Sequence, residues 1–253
     1  MKKGISRLNK IFLTLGAFGV LLLIWQIAFF CVGNELLLPA PLECLKEVFS
    51  LLGQGRFWKG FLSTLLRALA AFFTSLIIGG CFAVVAYLFP PFRDFLAPIV
   101  AFFRALPTVA VILLILVFST PSNAPVIVAC LALAPMLYSS TLAAFLGVDE
   151  ELIELCKVYR VPLKKRVLSL YLPTASPYLL RESAAGLSFS LKLVVSAEVL
   201  ADTYESIGGM LQEAKIGLEI PSLFALTVCV VAVGFLVEWL GHLLAHYVAR
   251  RVK

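Results

Sequence analysis

The chain has 253 residues, 61% of them hydrophobic and only 14% charged, with a mean hydropathy of +1.01. Soluble globular domains carry roughly half apolar and a quarter charged residues, so this composition excludes one and points to lipid as the solvent. The net charge of +6 needs no nucleic acid to explain it, because the basic residues fall where a membrane protein keeps its topology signals.

A bilayer crossing takes about 20 apolar residues. Lys2, Lys3, Arg7 and Lys10 precede the first predicted span, about 11–32, in the charge-free run Ile11 to Asn34. That run is longer than the apolar core of a cleaved signal peptide and no small-residue cleavage site follows, so it reads as a retained helix. Residues 35–59 hold Leu38-Pro39-Ala40-Pro41, then Leu42, Leu45, Val48, Phe49 and Leu52 with Glu43, Lys46 and Glu47 between them. This spacing predicts a short amphipathic helix at the outer interface. A second span is expected over about 60–89. The uncharged run Ala105 to Val148 is too long for one crossing, and Ser119-Thr120-Pro121-Ser122-Asn123-Ala124-Pro125 marks a turn within it. Spans three and four are therefore placed at about 95–118 and 124–147. A polar island, 149–172, follows. The fifth span is expected over 173–200 and the sixth over 220–248, with Ser206-Ile207-Gly208-Gly209 as a turn in the outer piece between them.

With six crossings, the N-terminal cluster, Arg93, the island residues Lys157, Arg160, Lys164, Lys165 and Arg166, and the terminal Arg250, Arg251 and Lys253 all share one side. The opposite loops carry only Lys46, Arg56, Lys59 and Lys215. The positive-inside rule then puts both termini and the island in the cytoplasm of a multi-pass inner-membrane protein.

Within the island a helix is expected from Glu150, with Leu152, Ile153, Leu155, Cys156 and Tyr159 as an apolar docking face and Glu151, Glu154 and Lys157 on its flank. Val161-Pro162 breaks that helix, Pro162 starts a second, and Pro173 marks re-entry into the membrane.

Glu154-Leu155-Cys156, then Arg160, Leu170 and Leu172-Pro173, have the spacing of the EAA loop through which permease subunits of bacterial ABC importers engage their ATPase. Leu155 and Cys156 stand where that motif has two alanines, and Arg160 where it has glycine. The chain thus resembles the permease subunit of a type I ABC importer. Leu38-Pro39-Ala40-Pro41-Leu42, Ser63 to Arg67, Phe103 to Pro107 and Ala197-Glu198-Val199-Leu200 are similar to the sulfonate, nitrate and taurine group. The resemblance implies an all-α membrane fold with six transmembrane helices and two permease copies forming the path. It also implies two cytoplasmic ATPase subunits, a solute-binding protein on the outer side, and ATPase coupling through Leu152, Ile153, Glu154, Leu155, Cys156, Tyr159, Arg160, Leu170, Leu172 and Pro173. Such a subunit performs no covalent chemistry and needs no cofactor. The sequence holds no Gly-x-x-x-x-Gly-Lys-Ser/Thr loop, so ATP falls to a partner.

Charges inside a membrane are costly and commonly functional. Lys192, Glu198 and Arg104 are the candidates for the translocation path, with packing as the alternative for each; Lys192 in packing would meet a carboxylate or carbonyl of a neighbouring helix. Residues six apart on a helix do not share a face, so Lys192 and Glu198 are not expected to pair. Glu238, His242 and His246 lie at intervals of four on one helix face, but a metal is not expected there, since interfacial side chains reaching water have the same pattern. Cys81, Cys130, Cys156 and Cys229 read as small apolar packing residues, and a Cys31–Cys44 disulfide is left open. The alternative function is a secondary carrier driven by an ion gradient, with Lys192 and Glu198 as coupling residues; the inverted repeat many such carriers show is not evident. A membrane-embedded enzyme is disfavoured, because no catalytic cluster converges at one depth.

Overall fold

In the computed structural model, residues 7–34 and 37–252 are described; Lys2, Lys3 and Lys253 of the topology signal lie outside them. The chain runs as α1 (Arg7–Val32), α2 (Pro41–Leu52), α3 (Gly55–Leu88), α4 (Pro90–Ala105), α5 (Thr108–Phe118), α6 (Ala124–Leu146), α7 (Glu150–Val158), α8 (Leu163–Arg166), a π-helical segment Val167–Tyr171, α9 (Leu172–Ala201), α10 (Ile207–Ile216) and α11 (Ile220–Val252). Among the described residues no strand occurs.

The centre is a bundle of α3, α6 and α9, with α11 laid against α9. Ala68 and Ala71 of α3, Ala129 and Leu133 of α6, Leu191 and Val194 of α9, and Ala225 and Leu226 of α11 form its main buried cluster. Small residues let the backbones approach, as expected where lipid supplies no hydrophobic drive between helices. A methyl added at Gly79 would lie 2.7 Å from the Ala134 carbonyl oxygen, and one at Gly241 would lie 1.9 Å from Ala184 Cβ. Neither crossing tolerates a side chain. At one end of the bundle α2 is anchored by buried Cys44 and Leu51, and the Ser222 hydroxyl donates to Glu47 Oε1 at 3.0 Å. Trp25 of α1 stacks on Phe224, with ring centroids 5.7 Å apart, and its Nε1–H donates to the Pro39 carbonyl at 3.2 Å.

Among the described residues four helices, within Gly55–Leu88, Ala124–Leu146, Lys164–Ala201 and Ile220–Val248, are long and apolar enough to cross a membrane. The expectation of six continuous spans needs correction in one place. The third is not one helix: α4 and α5 meet at 92° across a two-residue break and count together as a fifth crossing at most. Pro107 is the cause, since it disfavours helical backbone at the residue before it; Leu106 is extended, at φ −65° and ψ 130°, and the helix stops at Ala105. α1 runs as one helix, Arg7–Val32, over the predicted first span.

Candidate functional site

The island 149–172 forms a compact hairpin at the end of the bundle opposite α2 and α10. Asp149 caps α7, its carboxylate accepting from the Glu151 amide at 3.0 Å, with Glu150 and Glu151 in the first turn and Lys157 in the last to match the helix dipole. At the other end the Arg160 amide donates to the Lys157 carbonyl at 3.0 Å and the Val161 amide to the Cys156 carbonyl at 2.9 Å. That pair of bonds is a Schellman closure, which needs a left-handed residue at the turn. Arg160 is that residue, at φ +49°. Pro162 then prevents continuation, and Arg166 Nε–H donates back to the Val161 carbonyl at 2.8 Å.

The expected docking face divides in two. Leu152, Leu155 and Tyr159 are exposed, 44%, 57% and 74%, and so are Glu154 and Arg160. Ile153 and Cys156, three apart, are half-buried on the other side of α7. Val158, exposed and absent from the predicted face, extends the outward patch. Leu170 and Pro173 are half-buried and Leu172 is exposed, all at the root of α9. There the Leu172 amide reaches the Val167 carbonyl, five residues back, in a π-type turn. Pro177 leaves the Pro173 carbonyl without its helical donor, and the Ser176 hydroxyl donates to it instead at 3.2 Å. Tyr87 of α3 hydrogen-bonds Tyr171 at 2.9 Å, tying this root to the bundle.

The three path candidates lie in different surroundings. Glu198 is fully enclosed: Oε2 accepts from the Thr64 hydroxyl at 2.8 Å and the Gly208 amide at 3.2 Å, and Oε1 pairs with Arg67 Nη1 at 2.8 Å. It joins α3, α9 and α10 and presents no surface to a path. Gly208 can donate only because it has no side chain; a Cβ there would fall 2.2 Å from Glu198 Cβ. Arg104 is exposed at the end of α4, beside the break. Lys192 does not pair with Glu198; its Nζ lies 3.9 Å from Glu238 Oε1 on α11. Phe189, Lys192, Ser196 and Leu200 form an exposed stripe on α9, otherwise the most enclosed of the long helices.

Sequence reasoning missed Arg67, although an arginine inside the predicted span 60–89 was itself the signal for a buried partner. It read Glu238 only beside His242 and His246; among the described residues no three His, Cys, Asp or Glu are grouped to hold a metal. Cys31 and Cys44 are both free, the first exposed and the second buried. Burial, then the neighbouring Cys229 and Glu47, push the Cys44 thiol upward, so it stays protonated.

Long apolar helices with few charges inside them, a buried Arg67–Glu198 pair, and a capped polar hairpin at one end define a multi-pass membrane protein. Residues 75–252 match the family of binding-protein-dependent transport system inner membrane components, and the chain belongs to that family. It is 25% identical over 237 residues to the taurine transport system permease protein of Escherichia coli (strain K12), covering 91% of this chain and 86% of that one. It is 28% identical to a probable ABC transporter permease protein of Brucella melitensis, over 94% and 95% of the two chains. Against the bicarbonate transport system permease protein of Synechococcus elongatus the identity is 23%, over 94% and 89%. In fold it matches an inward-facing structure of the MetNI methionine ABC transporter, with a TM-score of 0.68 and 19% identity over 75% of this chain and 94% of that one. It also matches an amino acid ABC transporter, with a TM-score of 0.60 and 16% identity over 78% and 94%. The chain is therefore the permease component of an ABC importer, embedded in the inner membrane, and family membership replaces the secondary-carrier alternative.

Proposed function

We propose that the chain forms, as a pair of copies, the path for a small anionic or polar solute, and that its α7 hairpin transmits ATPase closure to α9. The observation that carries this is the hairpin itself: Leu152, Leu155, Val158 and Tyr159 stand exposed on a helix capped at both ends. An apolar patch held on a rigid projection suits insertion into a groove of a cytoplasmic partner, and the partner is a pair of ATPase chains that bind the nucleotide. The root of the hairpin runs directly into α9, so a push on α7 moves Lys192. Both termini lie in the cytoplasm with the hairpin, and α2 and α10 face a solute-binding protein outside. The names of the taurine and bicarbonate relatives support a small solute that carries an anionic group, and the Phe189, Lys192, Ser196 and Leu200 stripe is the wall it meets.

Proteoliposomes holding the permease with its ATPase and binding protein test the reading. ATP-dependent uptake of radiolabelled taurine or bicarbonate, lost when the ATPase is omitted, is the expected result. Uptake driven by an ion gradient without ATP would overturn it.

A further inference from the structure

Lys192 and Glu238 stand deep in their helices, where a lone charge is expensive. Side chains lean toward the N-terminus of their own helix. Because α9 and α11 run antiparallel, Lys192 and Glu238 lean toward each other, and the charged atoms come to 3.9 Å. Gly234, one turn before Glu238, makes room for this: a Cβ there would lie 3.1 Å from Ser188 Oγ and 3.8 Å from Lys192 Cε. Ser188 is fully buried and its hydroxyl makes no hydrogen bond among the described residues, so it does not hold the lysine in place. The pair is nonetheless open, with side-chain exposures of 55% and 35% for Lys192 and Glu238. A separation at the outer limit of an ion pair, with both partners accessible, is a contact that a competing charge can replace.

We propose that Glu238 is the charge-selectivity residue of the path, resting on the reading that the Lys192 stripe lines it. Glu238 balances Lys192, so the empty path is neutral at this depth. An anionic group of the solute gains the ammonium only by displacing the Glu238 carboxylate, so Glu238 weakens the anion preference that Lys192 alone would give and sets how strongly the path discriminates by charge.

Ser196 provides a reporter, because it is exposed one turn from Lys192, its hydroxyl donating to the Lys192 carbonyl at 2.9 Å. S196C is placed in the assembled importer in a background free of the six native cysteines. Its reaction rates with an anionic sulfonatoethyl and a cationic trimethylammonioethyl methanethiosulfonate are then compared. E238Q should raise the anionic-to-cationic ratio about tenfold, K192M should lower it about tenfold, and the double variant should restore the starting ratio, as expected for one unbalanced charge a helical turn away. Should a single variant fail to assemble, the swap K192E/E238K keeps the pair and should keep the ratio; a large shift in the swap contradicts the proposal. A ratio moved by K192M and untouched by E238Q would overturn the role of Glu238 while leaving Lys192 in the path. No reaction in any background would overturn the path placement and this proposal with it.

Discussion

Arg160 occupies left-handed backbone at φ +49°, a conformation that costs an L-residue with a Cβ about 1–2 kcal/mol. The glycine that the EAA motif carries at this position is thereby explained in physical terms, and so is the strain this chain accepts. Part of that strain returns when glycine is introduced, offset by the greater freedom of the unfolded chain. We expect R160G to stabilise the hairpin by about 0.5–1 kcal/mol, read as slower hydrogen exchange of the amides from Cys156 to Val161; faster exchange would contradict the turn assignment. The second residue-scale expectation concerns Glu198. R67M leaves a fully enclosed carboxylate with only Thr64 and Gly208 as donors, and stranding a buried charge costs about 3–5 kcal/mol. R67M should sharply lower the thermal unfolding midpoint in detergent and R67M/E198Q should recover much of the loss. Equal stability of R67M and the parent would show that the pair contributes nothing.

At the scale of elements, the two sides of α7 should fail differently. L155D puts a charge on the exposed patch and should leave the subunit folded while preventing ATPase association. I153D puts it on the half-buried side, where burial of an unpaired charge costs several kcal/mol, and should unfold the hairpin, seen as protease cleavage between 149 and 172. The same phenotype from both would mean that α7 has no separate docking face. The hairpin's helix and its break at Pro162 were legible because they depend on local chemistry: an apolar-periodic run from Glu150, and proline after it. Which of Ile153 and Leu155 points outward was not, because residues two apart lie on opposite sides of a helix and only the surroundings of α7 decide which side is covered. The α4–α5 bend was signalled by Pro107 but hidden by the uniform apolarity around it, which has the same appearance in a straight span and in a broken one. The Arg67–Glu198 pairing joins residues 131 apart in sequence, a separation that periodicity does not reach.

For the whole molecule, the proposed function puts a binding protein at the α2 and α10 end and an ATPase at the α7 end, with Lys192 between them. Single cysteines at Gln54 and Lys215, both exposed, should lose reactivity when the solute-loaded binding protein docks; unchanged labelling at both would move that partner elsewhere. The central claim is that α7 couples the permease to ATP hydrolysis, and ATP turnover by the reconstituted importer, compared among the parent, E154K and L155D, tests it most directly. Binding-protein-stimulated turnover is expected in the parent, and none in either variant while both remain in the membrane at parental levels. Parental stimulation in both variants would contradict it.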